Sequence, residues 1–192
     1  MTVHPLVERA AAGELPGWAE AGASRRAHMA RVAALLEAWA RALELPAEDR
    51  VRWAAAGHLH DVLRGADAES LRRRVPPAMA GLPKRILHGP AAAERLRIEG
   101  VVDGAMLRAV AYHTLGHPDF GSLGQALYVA DFLEPGRDLL NDWREGLRAR
   151  MPGELTAVVR EILGARIAYL VGRGNALRAE TVAFWNSLAR EG

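Results

Sequence analysis

The stretch AAAGHLHDVLRG, residues 54–65, sets two histidines into an alanine-rich helical segment and follows the second directly with an aspartate. On a regular helix His58 and His60 project about 200° apart, so the two imidazoles cannot serve one site. Gly57 lies about one turn before His60 and leaves room for close packing there. We therefore expect His60 and Asp61 to belong to a functional site and His58 to pack between helices, with a supporting position beside the site as the alternative.

Helical periodicity continues on both sides of this stretch. Alanine, leucine, arginine and glutamate dominate the sequence, whereas β-branched runs with an alternating pattern are missing. Capping and breaking residues such as Ser24, Pro46, Asp103 and Ser122 predict where helices begin or end. The predicted helices cover 25–45, 46–64, 67–74, 90–98, 103–113, 123–134, 138–150, 154–171 and 176–190, with a short one in PLVERAAAG, residues 5–13.

The loops between these helices are too short to be interdomain linkers, and no segment repeats. The sequence therefore predicts an all-α protein with one helical domain over residues 20–192. Residues 1–19 are expected to form an N-terminal extension that packs on it.

The composition excludes several kinds of chemistry. None of the 192 residues is cysteine, so a metal would need histidine, carboxylate or water ligands, and cysteine nucleophiles are ruled out. The formal net charge is only +2, and the short basic run LRRRV, residues 71–75, indicates a solvated face rather than a nucleic-acid stripe. No apolar run approaches the roughly 20 residues of a membrane span, and the N-terminal pattern is not that of a secretory signal. We expect a cytoplasmic protein without nucleic-acid or membrane partners.

Three apolar helix faces end in polar side chains directed at the core. His28 lies on the stripe that continues through Val32, His113 ends the stripe of its helix, and Asp131 and Glu134 end a third. A single inward histidine is usually bonded to a backbone carbonyl, and a single inward aspartate is usually a cap or an arginine partner. A buried ionised carboxylate, however, is unfavourable unless it is paired or binds a cation.

Taken together, four imidazoles and two carboxylates are the inventory for two transition-metal ions that share a bridging carboxylate. The candidate ligands are His28, His60, Asp61, His88, His113 and Asp131. Nitrogen and oxygen donors of this kind favour iron, manganese, cobalt or zinc over calcium.

The order of several motifs resembles the HD-domain superfamily of metal-dependent phosphohydrolases, and within it the bacterial symmetrical bis(5'-nucleosyl)-tetraphosphatases. The matching motifs are RRAHMARV, AAGHLHD, ILHGPAAAERL, RAVAYHTLG, LYVADFLEPGR and AETVAFWNSL, which together cover about residues 20–190. A His–Asp pair alone is weak evidence, whereas HGP, YHTxG and VADFxEPxR in this order are specific. The resemblance implies a single HD-domain helical bundle with a metal site in its core, between helices.

The resemblance also implies the ligands of each ion. The expected ligands of the first ion are His28, His60, Asp61 and Asp131. The second ion would share Asp61 as a bridge and add His88 and His113. Iron is the usual metal of the family, with manganese, cobalt and zinc as alternatives.

Further residues take their expected roles from the same resemblance. Arg64 and Arg137 would act in catalysis beside Asp61, with Arg137 as a phosphate clamp or, alternatively, an ion-pair partner that ends its helix. The expected substrate-binding residues are Thr114, Gly116, Glu134 and Arg137. Glu134 could instead support a metal ligand or a metal-bound water, and Thr114 and Gly116 could simply form a helix-ending turn.

The implied activity is symmetrical hydrolysis of diadenosine tetraphosphate, a small nucleotide substrate, to two ADP by a metal-activated water. Three departures from the family pattern leave the substrate open. Arg64 stands where the family commonly has lysine, and His117 stands where a basic or small polar residue is expected. The segment PDFGSLGQALY, residues 118–128, is smaller and more apolar than usual. Another nucleotide or a phosphomonoester is one alternative. A non-catalytic nucleotide- or metal-binding module is another, and a homodimer is also left open.

Overall fold

The computed structural model describes residues 3–136 and 141–190, and within these ranges it contains ten α-helices, one short 3-10 helix and no strand. The helices are α1 (Pro5–Ala11), α2 (Ala23–Ala42), α3 (Ala47–Leu59), α4 (Ala68–Arg73), α5 (Lys84–Ile98), α6 (Gly104–Tyr112), α7 (Ser122–Leu133), α8 (Asn141–Arg150), α9 (Leu155–Gly172) and α10 (Ala179–Arg190). The 3-10 helix covers Pro77–Met79. The predicted all-α class is confirmed.

One continuous cluster of buried apolar residues connects the helices. Helices α2 and α3 lie at its centre, where Leu36 and Leu59 are fully buried. The two helices approach most closely at Gly57, where an added Cβ would lie 2.5 Å from the Cα of Ala33. This close approach brings the inward face of α2 against the end of α3, where His60 follows the last helical residue.

The N-terminal residues share this core. In α1, Leu6, Val7 and Ala10 are buried, and α1 packs against α3. Glu20 then pairs through its backbone with the turn after α3, because its N–H donates to the carbonyl of Val62 and its own carbonyl accepts from Gly65. The proposed boundary between an extension, residues 1–19, and the main domain stays a prediction.

Helix α3 ends earlier than predicted, at Leu59 rather than near Arg64. The backbone groups of Val62 and Gly65 bond to Glu20 instead of continuing the helix. His60 and Asp61 therefore lie in turns at the end of α3, and both are buried.

Helix α5 differs most from its prediction. It begins at Lys84 and contains Pro90 in its interior, whereas the sequence predicted that Pro90 starts the helix. Gly89 lies against the end of α6, where an added Cβ would be 2.8 Å from the carbonyl oxygens of Val110 and Ala111. Tertiary packing at this crossing outweighs the missing proline N–H.

The predicted caps are confirmed in part. Asp103 caps α6, with its carboxylate accepting from the N–H of Met106 at 3.0 Å. Ser24 and Ser122 lie inside their helices instead, and the N-cap positions belong to Gly22 and Gly121. The predicted start of α8 at residue 138 lies outside the described residues.

None of the helices in the described part of the chain combines the length and apolar character that crossing a membrane requires.

Candidate metal centre

Six polar side chains from five separate parts of the chain converge in the core. They are His28, His60, Asp61, His88, His113 and Asp131, and all of them except Asp131 are buried. The side chain of Asp131 is 24% exposed. Helix α2 supplies His28, the end of α3 supplies His60 and Asp61, α5 supplies His88, the end of α6 supplies His113, and α7 supplies Asp131.

Asp61 lies between two pairs of imidazoles. Its Oδ1 is 2.7 Å from Nε2 of His88 and 3.6 Å from Nε2 of His113. Its Oδ2 is 3.6 Å from Nε2 of His60 and 3.8 Å from Nε2 of His28. Each carboxylate oxygen thus faces one histidine pair, which is the arrangement a bridging ligand requires.

The spacing of the nitrogen and oxygen atoms fits a shared ion. The Nε2 of His28 lies 3.3 Å from Nε2 of His60 and 3.2 Å from Oδ1 of Asp131. The Nε2 atoms of His88 and His113 are 3.1 Å apart. Two donors bound to one ion at about 2.1 Å lie about 3.0–3.4 Å apart for angles between 90° and 109°. Within the described residues, two overlapping groups of donor atoms, which share His60, could each hold a metal ion: His28, His60 and Asp131, and His60, Asp61 and His113.

The rings of His60 and His113 are held by the same kind of local hydrogen bond. Each histidine follows the last residue of its helix, and each places Nδ1 beside the carbonyl three residues earlier. The distances are 2.9 Å from His60 to Gly57 and 2.8 Å from His113 to Val110. Donation from Nδ1 to a carbonyl at the helix end leaves the lone pair of Nε2 directed at the centre.

Glu134 orients the third imidazole. Its Oε1 lies 3.3 Å from Nδ1 of His28, on the side of the ring away from Asp131. Its Oε2 accepts from Nε of Arg31 at 2.6 Å and from the N–H of Gly136 at 2.9 Å. Glu134 is only 3% exposed, so its position favours the predicted alternative of supporting a metal ligand over contact with substrate.

The protonation states of His60, His88 and Asp61 suit metal binding. Burial lowers the pKa of His60 to about 4 and likewise that of His88 to about 4. Burial opposes ionisation of Asp61, but the charge of His60 and hydrogen bonds from the other imidazoles hold its pKa well below its usual range. For His113, burial has the largest effect and lowers the pKa, but the hydrogen bond and charge of Asp61, the charge of Asp131 and the bond to Val110 together raise it by more, so the net shift is upward. Ionised carboxylate and neutral imidazole are the forms that bind cations.

Two of the predicted catalytic and substrate residues lie beside the centre. Arg64 places NH1 3.3 Å from Nδ1 of His88 and donates to the carbonyl of Arg85 at 3.1 Å. The hydroxyl of Thr114 lies 3.1 Å from Nε2 of His113. Both residues therefore border the histidine pair that faces Oδ1 of Asp61.

Gly116 is not brought to the centre. Gly116 has a φ of +80°, and an added Cβ would lie 2.1 Å from the ring of Phe184, so packing against α10 accounts for this glycine. Its predicted substrate role stays a prediction. Arg137 lies outside the described residues.

His58 does not join the cluster. Its ring lies beside Gly13, where an added Cβ would be 3.8 Å from it, in the turn after α1. His58 therefore packs against the turn after α1, whereas His60 lies in the cluster.

The sequence analysis missed two arginines. NH1 of Arg25 donates to Oδ2 of Asp61 at 2.7 Å, and Arg31 bonds to Glu134 as described above. The available signal is the spacing of Arg25, His28 and Arg31 at three-residue intervals, which puts all three side chains near one face of α2.

Curated relatives carry a specific name. A protein of Halalkalibacterium halodurans named "Bis(5'-nucleosyl)-tetraphosphatase, symmetrical" is 25% identical over 149 residues, which are 74% of this chain and 79% of that protein. A Staphylococcus aureus protein of the same name is 28% identical over 135 residues, which are 66% of this chain and 69% of the relative.

Comparisons of fold and family agree with these relatives. A crystal structure from Clostridium acetobutylicum, described as "predicted HD superfamily hydrolase involved in NAD metabolism", superposes with a TM-score of 0.77 at 22% identity. The superposition covers 90% of this chain and 93% of the other, which shows a shared fold. The family model described as HD domain matches residues 25–136, and this range contains all six converging side chains. Because the match spans more than half of the chain, this protein belongs to the HD-domain family.

Proposed function

We propose that this protein is a metal-dependent phosphohydrolase that cleaves diadenosine tetraphosphate symmetrically into two ADP. The observation that carries the proposal is the position of Asp61, whose two carboxylate oxygens face two separate pairs of histidines. The choice of substrate is supported by the relatives named as symmetrical tetraphosphatases, which align with 66–74% of this chain.

The proposed cofactors are two divalent transition-metal ions, with iron as the first candidate and manganese, cobalt or zinc as alternatives. The residues proposed to hold them are His28, His60, Asp61 and Asp131 for one ion and Asp61, His88 and His113 for the other. Bound at such a site, the ions lower the pKa of a water molecule and neutralise charge on phosphoryl oxygens. The absence of cysteine fits a reaction without a thiol nucleophile.

The protein's own side chains would position the ions and the polyphosphate. Backbone carbonyls fix the rings of His60 and His113, and Glu134 fixes that of His28, so the donors are already oriented before binding. Arg64 beside His88 is proposed as a phosphate contact, because a guanidinium fork pairs with two phosphoryl oxygens at once. Thr114 adds a hydroxyl on the same side.

A product analysis tests the proposal. Protein loaded with iron without oxygen, or with manganese, is mixed with diadenosine tetraphosphate, and the nucleotides are resolved by ion-exchange chromatography. We expect ADP as the sole product, loss of turnover in Asp61→Asn, and normal turnover in Asp67→Asn, which removes an exposed aspartate that caps α4.

Other results would change the conclusion in defined ways. AMP plus ATP would contradict symmetrical cleavage while leaving metal-dependent hydrolysis in place. No turnover with any metal would overturn the proposed substrate, and a panel of other nucleotides and phosphomonoesters would follow. Hydrolysis that is unaltered by His60→Ala would place the reaction outside this centre.

A further inference from the structure

Arg25 connects the metal centre to solvent. It lies in the first turn of α2, three residues before His28, and its NH1 donates to Oδ2 of Asp61 at 2.7 Å. The side chain of Arg25 is 36% exposed, whereas that of Asp61 is 6% exposed. The side chain of Arg25 therefore extends from the protein surface to the carboxylate of Asp61.

The oxygen that Arg25 contacts is one that a metal ion would need. Oδ2 of Asp61 is the atom that faces Nε2 of His60 and Nε2 of His28. A cation held by that histidine pair would lie against the same oxygen, beside a guanidinium of the same sign of charge. Because like charges at this distance repel in a buried site, a bound ion would weaken the bond between the guanidinium and Oδ2.

Neighbouring arginines of α2 are placed differently. Arg31 donates to Glu134, which lies on the Nδ1 side of His28, away from the atoms that face Asp61. Arg26 donates through Nε to the backbone carbonyl of Ala21 at 2.8 Å and is exposed. Arg25 is thus distinguished from both by its bond to a carboxylate oxygen inside the cluster.

We propose that Arg25 alternates between two partners: Asp61 while the centre is free of metal, and a phosphate group of the substrate once metal is bound. Metal binding releases the guanidinium, and its helix keeps it beside the centre. A partly exposed guanidinium with several free donors then binds a polyphosphate in bidentate fashion. The identity of the second partner rests on the proposed function, whereas the competition at Asp61 does not.

Metal titration tests the first half without any turnover. Metal-free wild type, Arg25→Gln and Arg26→Gln are titrated with Mn²⁺ by calorimetry at low ionic strength. We expect Arg25→Gln to bind Mn²⁺ about tenfold more tightly than wild type, because the ion no longer displaces a charge-assisted hydrogen bond. Arg26→Gln removes the same charge one residue away and should stay within about twofold of wild type. Equal or weaker Mn²⁺ binding by Arg25→Gln would overturn the proposal.

Anion binding tests the second half. Mn²⁺-loaded proteins, freed of excess metal, are titrated with inorganic pyrophosphate. We expect about tenfold weaker pyrophosphate binding in Arg25→Gln, partial recovery in Arg25→Lys, and no change in Arg26→Gln. Pyrophosphate binding that is equal in Arg25→Gln and wild type would overturn the proposal. Thermal denaturation of each loaded variant verifies that it is folded. If Arg25→Gln does not fold, Arg25→Lys replaces it, and we then expect pyrophosphate binding weaker than that of wild type.

Turnover separates this inference from the proposed function. If wild type cleaves the dinucleotide and Arg25→Gln matches Arg26→Gln in both titrations, the role of Arg25 is wrong and the proposed function stands. If both titrations shift as expected while no metal supports cleavage, the proposed function fails and the role of Arg25 as a metal-released anion contact stands.

Discussion

His58 and His60 are two positions apart in the chain, but their side chains lie in different surroundings. His60 lies in the cluster with its Nε2 directed at Asp61, whereas the ring of His58 lies against the turn after α1. We expect His60→Gln to weaken Mn²⁺ binding by more than about 100-fold, since loss of a supporting partner alone reduces metal affinity by about 10–100-fold. His58→Gln is the matched control and should titrate like wild type in calorimetry. Equal titrations for the two variants would remove His60 from the ligand set.

Glu134 acts on the metal centre through His28. Replacing Glu134 by glutamine removes the charge that faces Nδ1 of His28 and weakens the bond from Arg31. We expect Glu134→Gln to lower Mn²⁺ affinity by about 10–100-fold while the protein stays folded. Glu37→Gln, which breaks an exposed ion pair with Arg41 on the same helix, should leave Mn²⁺ affinity unchanged. Unaltered Mn²⁺ affinity in Glu134→Gln would show that His28 needs no partner for its orientation.

Residue spacing predicted which side chains face the core but not which partners they meet there. The inward positions of His28, His113 and Asp131 follow from helical periodicity, which is a local property. The bond between Arg31 and Glu134 joins positions 103 residues apart, so no local pattern could indicate it.

At the scale of helices, the metal centre depends on how closely α2 and α3 approach. An added Cβ on Gly57 would lie 2.5 Å from the backbone of Ala33, so Gly57→Ala must push the two helices apart. We expect a loss of about 1–3 kcal/mol in the free energy of unfolding, measured by urea denaturation, together with weaker Mn²⁺ binding. Gly146→Ala in α8 has nothing within 4 Å and should instead stabilise by up to about 1 kcal/mol. Equal effects of the two substitutions would mean that the close approach is unimportant.

The sequence predicts that these helices form. It does not predict where α3 ends or where α5 begins, and both of these boundaries lie near the metal centre. The turns after Leu59 depend on backbone bonds to Glu20, a residue about forty positions earlier. The interior position of Pro90 depends on the contact between Gly89 and the end of α6. Both exceptions lie next to candidate ligands, where tertiary contacts decide the local structure.

For the whole molecule, the buried histidines make the stability of the metal-free protein depend on pH. The pKa values of His60 and His88 fall from 6.5 to about 4 on folding because burial disfavours the charged form. Between pH 6.5 and about 4 the unfolded chain therefore binds more protons at these positions, so stability decreases as pH falls. The raised pKa of His113 acts in the opposite direction, since it favours folding below pH 6.5. Because two of these groups are lowered and one is raised, we expect the metal-free protein to lose stability as pH falls.

Urea denaturation of EDTA-treated protein at pH 7 and pH 4.5 measures this loss. We expect the free energy of unfolding to be lower at pH 4.5 than at pH 7. In the His60→Gln, His88→Gln double variant, removal of both lowered groups should flatten or reverse the pH dependence, whatever its absolute stability. Saturating Mn²⁺ should stabilise wild type more at pH 7 than at pH 4.5, because only neutral imidazoles bind the ion. If the free energy of unfolding of the EDTA-treated protein is equal at the two pH values, His60 and His88 are not buried in their neutral form. The centre would then not hold its imidazoles in the form that binds a cation.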